Sequence, residues 1–324
     1  MAGLYPPIEP YQHGMLDAGA GNLVYWETCG NPDGKPALVL HGGPGSGCRP
    51  GTRRYFDPAA YRVVLFDQRN CGRSRPLASN PAVSLENNTT AHLIADIELV
   101  RRTLSIDRWL VYGASWGSML AVLYAQAHPD AVSEIVIAAV GGAAGRRGIE
   151  WITRDMRRHF PAEWERFAAG VPEGERGGDL TAAYSRLLNH SDPAVRAKAA
   201  SDWCAWEDTH VSLFPEGRHN SRYDSPEFRM TFARIVTHYW SQNHFVADDA
   251  ILRDAYRLAG IPGVMIHGRL DISGPVDAAW DLQQAWPGSE LIVIGDAAHT
   301  GSAEMSNATV GAMDRFAAGQ HGQL

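Results

Sequence analysis

Three residues of this 324-residue chain combine side-chain types and settings suited to acyl transfer: Ser115 in GASWG, Asp271 in GRLDISGP and His299 in GDAAHTG. A serine hydroxyl is a poor nucleophile until a base takes its proton. A histidine serves as that base, and a carboxylate behind it holds the required tautomer and stabilises the imidazolium. The order Ser…Asp…His along the chain is the one expected when the serine occupies a strand-to-helix elbow. GxSxG is short, and a glycine-rich chain meets it by chance, so its setting decides its meaning. Here it follows the apolar run WLVYG (109–113) and opens the helical pattern SWGSMLAVLYAQAH (115–128). That setting predicts Gly113 and Gly117 where neighbouring chain passes too close for a Cβ. The competing reading of Ser115 is a helix N-cap. Asp277 and Asp296 are the nearest rivals to Asp271.

HGGPG (41–45) follows the strand pattern ALVL. Tight glycines there let a backbone N–H face the site, so Gly43 and Trp116, the residue after the nucleophile, are the candidate oxyanion donors. A plain glycine turn is the alternative. A phosphate loop fits less well, because no GxxxxGK is present and Pro44 lacks an N–H.

These residues need a scaffold that brings several strand ends together. ALVLHG (37–42), YRVVLFDQ (61–68), WLVYG, EIVIAAV (134–140), GVMIHG (263–268) and ELIVIG (290–295) read as buried strands, and NLVYWETCG (22–30) as a strand exposed on one face. Helical patterns at 89–104, 115–128, 275–286 and 304–318 alternate with them. The alternation predicts an α/β class with a mostly parallel sheet and helices on both faces. Both Asp271 and His299 then fall just past strands, on the sheet edge that carries Ser115. Between about 141 and 250 the regularity stops. This stretch opens with GGAAG, includes the turn-rich GVPEGERGGDL, and carries Trp151, Trp164, Trp203, Trp206 and Trp240. The expected organisation is a core of residues 1–140 and 251–324, with residues 141–250 a helical cap over the carboxyl ends of the strands.

The formal net charge of −7 argues against nucleic-acid or anionic-membrane partners. No apolar run is long enough to span a bilayer, the amino terminus lacks a signal-peptide pattern, and four scattered cysteines form no CxxC. The expectation is a reduced, cytoplasmic protein without a metal site.

LYPPIEPY, YWETCGNPDGKP, HGGPGSGC, FDPAAYRVVLFDQRNCGRS, LENNTT, GASWGSML, IPGVMIHGRLD and AWDLQQAWPGSEL together resemble the bacterial proline iminopeptidases, serine peptidases of the α/β-hydrolase fold. The resemblance covers both core segments and thins in the insertion. It implies cofactor-free removal of an N-terminal proline through an acyl-enzyme, with Ser115, Asp271 and His299 as the triad. An aminopeptidase must also hold the substrate's protonated amine, which calls for a carboxylate beside a small pocket. The family carries one such glutamate in a WxxWE segment, and WCAWED puts Glu207 there; without the resemblance, Glu207 reads as a solvated helix residue. A second family glutamate lies in ARIE, where this chain has ARIV and hence Val236, with Asp208 or another cap acid as a candidate substitute. The family's RGIF stretch is replaced by AAVGGAAG. Short peptides or other small acyl compounds are the expected substrates. The competing function is an esterase or amidase of the same fold, with an acyl pocket enlarged at Val236. A non-catalytic binding protein of this fold would lack a triad residue, and none is missing.

Overall fold

The computed structural model describes residues 3–141, 145–211, 213 and 219–320. Its centre is an eight-stranded sheet in the order β1-β2-β4-β3-β5-β6-β7-β8, formed by Gln12–Asp17 (β1), Leu23–Gly30 (β2), Lys35–Leu40 (β3), Tyr61–Asp67 (β4), Trp109–Ser115 (β5), Val132–Val140 (β6), Gly263–Gly268 (β7) and Ser289–Ile294 (β8). β1 and β2 run antiparallel to their neighbours, and β4-β3-β5-β6-β7-β8 are parallel.

The parallel strands carry long apolar runs because both sheet faces are covered. Leu38, Leu40, Val111, Ile135 and Ile137 enter one core, while Ala37, Val39, Leu110, Val136 and Ala138 enter the other. The first face is covered by α1 (Thr90–Thr103) and α2 (Trp116–Ala127), with α9 (Val276–Ala285) on the same side. The second is covered by α10 (Ala303–Ala317), through Met305, Ala312, Met313 and Phe316. The Thr89 side chain caps α1 by accepting from His92 N–H, as its Asn/Thr-rich start predicts.

β2 departs from the expected half-exposed strand. Glu27 and Thr28 are buried beside Trp26 and Cys29. Burial of Glu27 is tolerated because the Arg53 guanidinium lies 2.7 Å away and Arg73 also pairs with it. β1 is an additional edge strand with mostly exposed side chains.

Between β6 and β7 the described residues form α3 (Arg146–Thr153), α4 (Pro161–Ala169), α5 (Leu180–Leu188), α6 (Pro193–Val211), α7 (Pro226–Ser241) and α8 (Ala250–Arg253), with no strand. Phe167, Tyr184, Trp203, Trp206 and Trp240 pack edge-to-face and stacked between α4, α5, α6 and α7. The tryptophans are therefore mainly the mortar of this helical layer. Two others tie it together by their indole N–H groups: Trp164 donates to Thr153 O, and Trp151 donates to Ile272 O in the loop after β7, at 2.6 Å. GVPEGERGGDL includes a short 3-10 turn at Glu173–Glu175. Of AAVGGAAG, residues 142–144 lie outside the described residues.

Candidate active site

β5 runs parallel to β6 until its register shifts between Ala114 and Ser115. Ser115 then takes φ +56° and ψ −127°, a conformation costing about 1–3 kcal/mol for a residue with a Cβ. The turn tolerates no extra atoms. A Cβ on Gly113 would stand 2.0 Å from Gly117 O, and one on Gly117 would stand 2.1 Å from Leu40 O. Ser118 helps to hold the bend, donating its hydroxyl to Ser115 O at 2.6 Å and accepting from Gly141 N–H at 2.9 Å. The Ser115 side chain makes no capping bond to α2. Its Oγ is instead 2.9 Å from His299 Nε2.

His299 Nδ1 is 2.8 Å from Asp271 Oδ2, and Gly274 N–H donates to Asp271 Oδ1 at 2.9 Å. Behind this loop lies a buried histidine, His267. Val140 N–H donates to its Nδ1 at 3.0 Å, so the ring's hydrogen is on Nε2 and is donated to Gly274 O at 2.7 Å. Burial lowers the His267 pKa, in keeping with a neutral ring. Burial alone would raise the Asp271 pKa, but the His299 charge and hydrogen bond outweigh it and the pKa is lowered. For His299 burial opposes the charged form, while Asp271 by charge and hydrogen bond, and then Glu207 by charge, raise the pKa above 6.5. A serine, an imidazole and an ionised carboxylate in this chain of contacts can perform nucleophilic attack with proton transfer.

Asp271, and neither rival acid, is the carboxylate in contact with His299. Asp296 accepts from Ser302 Oγ, and Asp277 pairs with Arg147 at 3.7 Å.

Gly43 and Trp116 line one cavity with Ser115, and Gln68 links Trp116 to His41 at the start of the HGGPG loop. The Trp116 indole N–H donates to Gln68 Oε1 at 2.9 Å, and Gln68 Nε2 donates to His41 O at 2.9 Å. Gln68 N–H donates to His41 Nε2 at 3.0 Å, leaving Nδ1–H to donate to Gly42 O at 2.9 Å. Burial lowers the His41 pKa to about 4, which keeps this arrangement neutral. The HGGPG loop and the start of α2 are thus fixed to each other by buried hydrogen bonds.

The cavity over Ser115 has a volume of about 420 Å³. Met119, Val140, Ile149, Ile152, Trp151 and Trp240 give it apolar walls, and Glu207 and His210 from α6 give it a polar one. Glu207 is no solvated helix residue: its side chain is 14% exposed, with Oε2 3.3 Å from His210 Nε2. A second cavity of about 320 Å³ shares Gly43, Ser115, Glu207 and His299 with the first and continues past Arg49, Asp208 and Asn220. Asp208 faces that side, accepting from Asn220 N–H at 3.1 Å, and burial raises its pKa to about 6.

Val236 is fully buried in α7 and is not among the residues lining either cavity, so it does not itself enlarge the pocket. The residues missed from sequence are His210 and Ser273, which face each other across the first cavity's wall. Only the position of His210 one helical turn after Glu207 pointed toward them. The described residues contain no cluster of metal-ligating side chains and no helix long and apolar enough to cross a membrane.

Residues 35–304 match the α/β-hydrolase fold family. The chain is 51% identical over 320 residues to a probable proline iminopeptidase of Streptomyces coelicolor, covering 98% of each chain. It is 44% identical to the proline iminopeptidase of Xylella fastidiosa, covering 93% of this chain and 94% of that one. The crystal structure of a proline iminopeptidase from Mycobacterium smegmatis superposes with a TM-score of 0.60 at 17% identity, covering 96% of this chain and 99% of that one, a likeness of fold.

Proposed function

This chain belongs to the proline iminopeptidase family of α/β-hydrolases, and we propose that it releases N-terminal proline from short peptides by a serine mechanism. The observation that carries the mechanism is the unbroken chain Ser115 Oγ–His299–Asp271 at the floor of a cavity whose wall bears Glu207.

The prolyl ring enters the apolar cavity, and Glu207 holds the ammonium. His299 takes the Ser115 proton as Oγ attacks the prolyl carbonyl. The N–H groups of Gly43 and Trp116 receive the developing oxyanion, where one donor is worth about 10²–10³ in rate. His299 then gives its proton to the departing amine, and the rest of the peptide leaves through the second cavity. Water, activated by the same histidine, attacks the acyl-enzyme and frees proline. Asp271 keeps Nδ1 protonated throughout. Residues 141–250 act as the cap that supplies Glu207. A cytoplasmic setting belongs to the same reading, supported by four free cysteines.

The test compares a prolyl arylamide with a short-chain aryl ester. Turnover of both, with labelling by a serine-reactive phosphonate that Ser115→Ala abolishes, is the expected result. Ester turnover with no prolyl release would refute the proposed substrate.

A further inference from the structure

His210 lies one turn after Glu207 on α6, with its side chain 2% exposed. Its Nδ1 is 2.9 Å from Ser273 Oγ, and the Ser273 hydroxyl donates to His210 O at 2.6 Å. A serine has one hydroxyl hydrogen, so toward Nδ1 it can only accept, and Nδ1 carries the ring hydrogen. In the neutral ring Nε2 therefore presents a lone pair. Nε2 is buried and makes no hydrogen bond, and Glu207 Oε2 stands 3.3 Å from it. Two acceptors facing each other at that range are unfavourable unless a donor lies between them.

The substrate proposed above supplies such a donor. A protonated prolyl amine is a secondary ammonium with two N–H groups. With the Glu207 carboxylate turned aside enough to uncover the buried Nε2, one nitrogen about 2.9 Å from each acceptor reaches both Glu207 Oε2 and His210 Nε2. We propose that His210 is the second acceptor of the amine site, taking one N–H of the prolyl ammonium while Glu207 takes the other and its charge.

This inference rests on Glu207 binding the amine. It accounts for a site that works with Val236, buried away from the cavity, where relatives are expected to carry a second glutamate. Ser273 belongs to the loop that carries Asp271, so the same histidine fixes the height of the amine site above Ser115. The other charged and titratable groups lining the first cavity are His244, His299 and the Arg147–Asp277 pair, and Asp208 and Tyr223 line the second.

Aryl esters of proline and of cyclopentanecarboxylic acid share a ring and differ in the amine, which makes them the test pair. His210→Leu should raise KM for the prolyl ester about ten- to a hundredfold, with a much smaller change for the cyclopentanecarbonyl ester. His210→Gln, whose amide can both donate to Ser273 and accept, should recover part of the loss; it also serves if Leu disturbs folding. Equal losses on both esters would overturn the proposal by making His210 purely structural. An unchanged prolyl KM would overturn it too. Glu207→Gln separates the premise: equal effects on both esters refute amine binding by Glu207, whereas a selective Glu207 effect without a His210 effect refutes only the role of His210.

Discussion

Asp271→Asn provides the sharpest trial of the proposed chemistry, because the loop dictates how the amide must sit. Gly274 N–H donates to Asp271 Oδ1 at 2.9 Å. The asparagine oxygen keeps that bond, since turning the NH₂ toward Gly274 would set donor against donor. The NH₂ then faces His299 Nδ1, at the 2.8 Å position held by Oδ2. His299 Nδ1 becomes an acceptor, its hydrogen moves to Nε2, and Nε2 points that hydrogen at Ser115 Oγ. The imidazole can no longer take the serine proton. Loss of the Asp271 charge, the main influence raising the His299 pKa, also removes stabilisation of the imidazolium. A tautomer error of this kind costs on the order of 10⁴ in kcat in a serine peptidase, equivalent to about 5.5 kcal/mol of barrier. The assay is kcat/KM for the prolyl arylamide and the aryl ester between pH 6 and about pH 10, beside circular dichroism to establish folding. Both substrates should fall together, because the same base serves both. A folded Asp271→Asn enzyme within tenfold of the parent at neutral pH, or a loss confined to one substrate, refutes the assignment of Asp271.

Glu207→Gln should lower kcat/KM for the prolyl arylamide by about ten- to a hundredfold, as expected for losing a hydrogen bond to a charged group, and change ester turnover far less; paired steady-state kinetics read the difference. Catalysis needs neutral His299, whose pKa is raised above 6.5, so kcat/KM should fall as pH drops through a value above 6.5. Glu207→Gln removes one of the negative charges raising it, and the acid limb should move to lower pH for the ester as well; a limb that stays in place rejects the electrostatic link. Gly113→Ala would drive a Cβ to 2.0 Å from Gly117 O, and thermal melts should show a midpoint lower by several degrees with the elbow's activity lost. An unaltered midpoint and rate would show that the turn relaxes freely.

The elements that carry chemistry were legible because the features marking them are local. Parallel strands are covered on both faces, so β3 to β7 carry apolar runs and the edge strand β8 keeps LIVI, and Asp271 and His299 lie in the loops just past β7 and β8. The edge strand QHGMLD has mostly exposed side chains and no such run, which hid β1. β2 misled for another reason: Glu27 looks solvent-facing until Arg53 and Arg73 are folded against it. Substrate recognition is a different kind of information. His210 and Ser273 are 63 residues apart in the chain, and nothing in the spacing of either announces the other. They meet because the aromatic layer of Trp203, Trp206 and Trp240 sets where α6 lies relative to the loop after β7. A family motif could single out Glu207 and mark Val236 as a departure, yet the compensating group arises from packing between elements. The proposed nucleophile is thus marked within five residues, while the proposed amine site depends on how one helix rests on one loop. Mutations of Trp203 and Trp206, which do not line the cavity over Ser115, should therefore alter prolyl selectivity in the paired ester assay before they alter the common hydrolytic step.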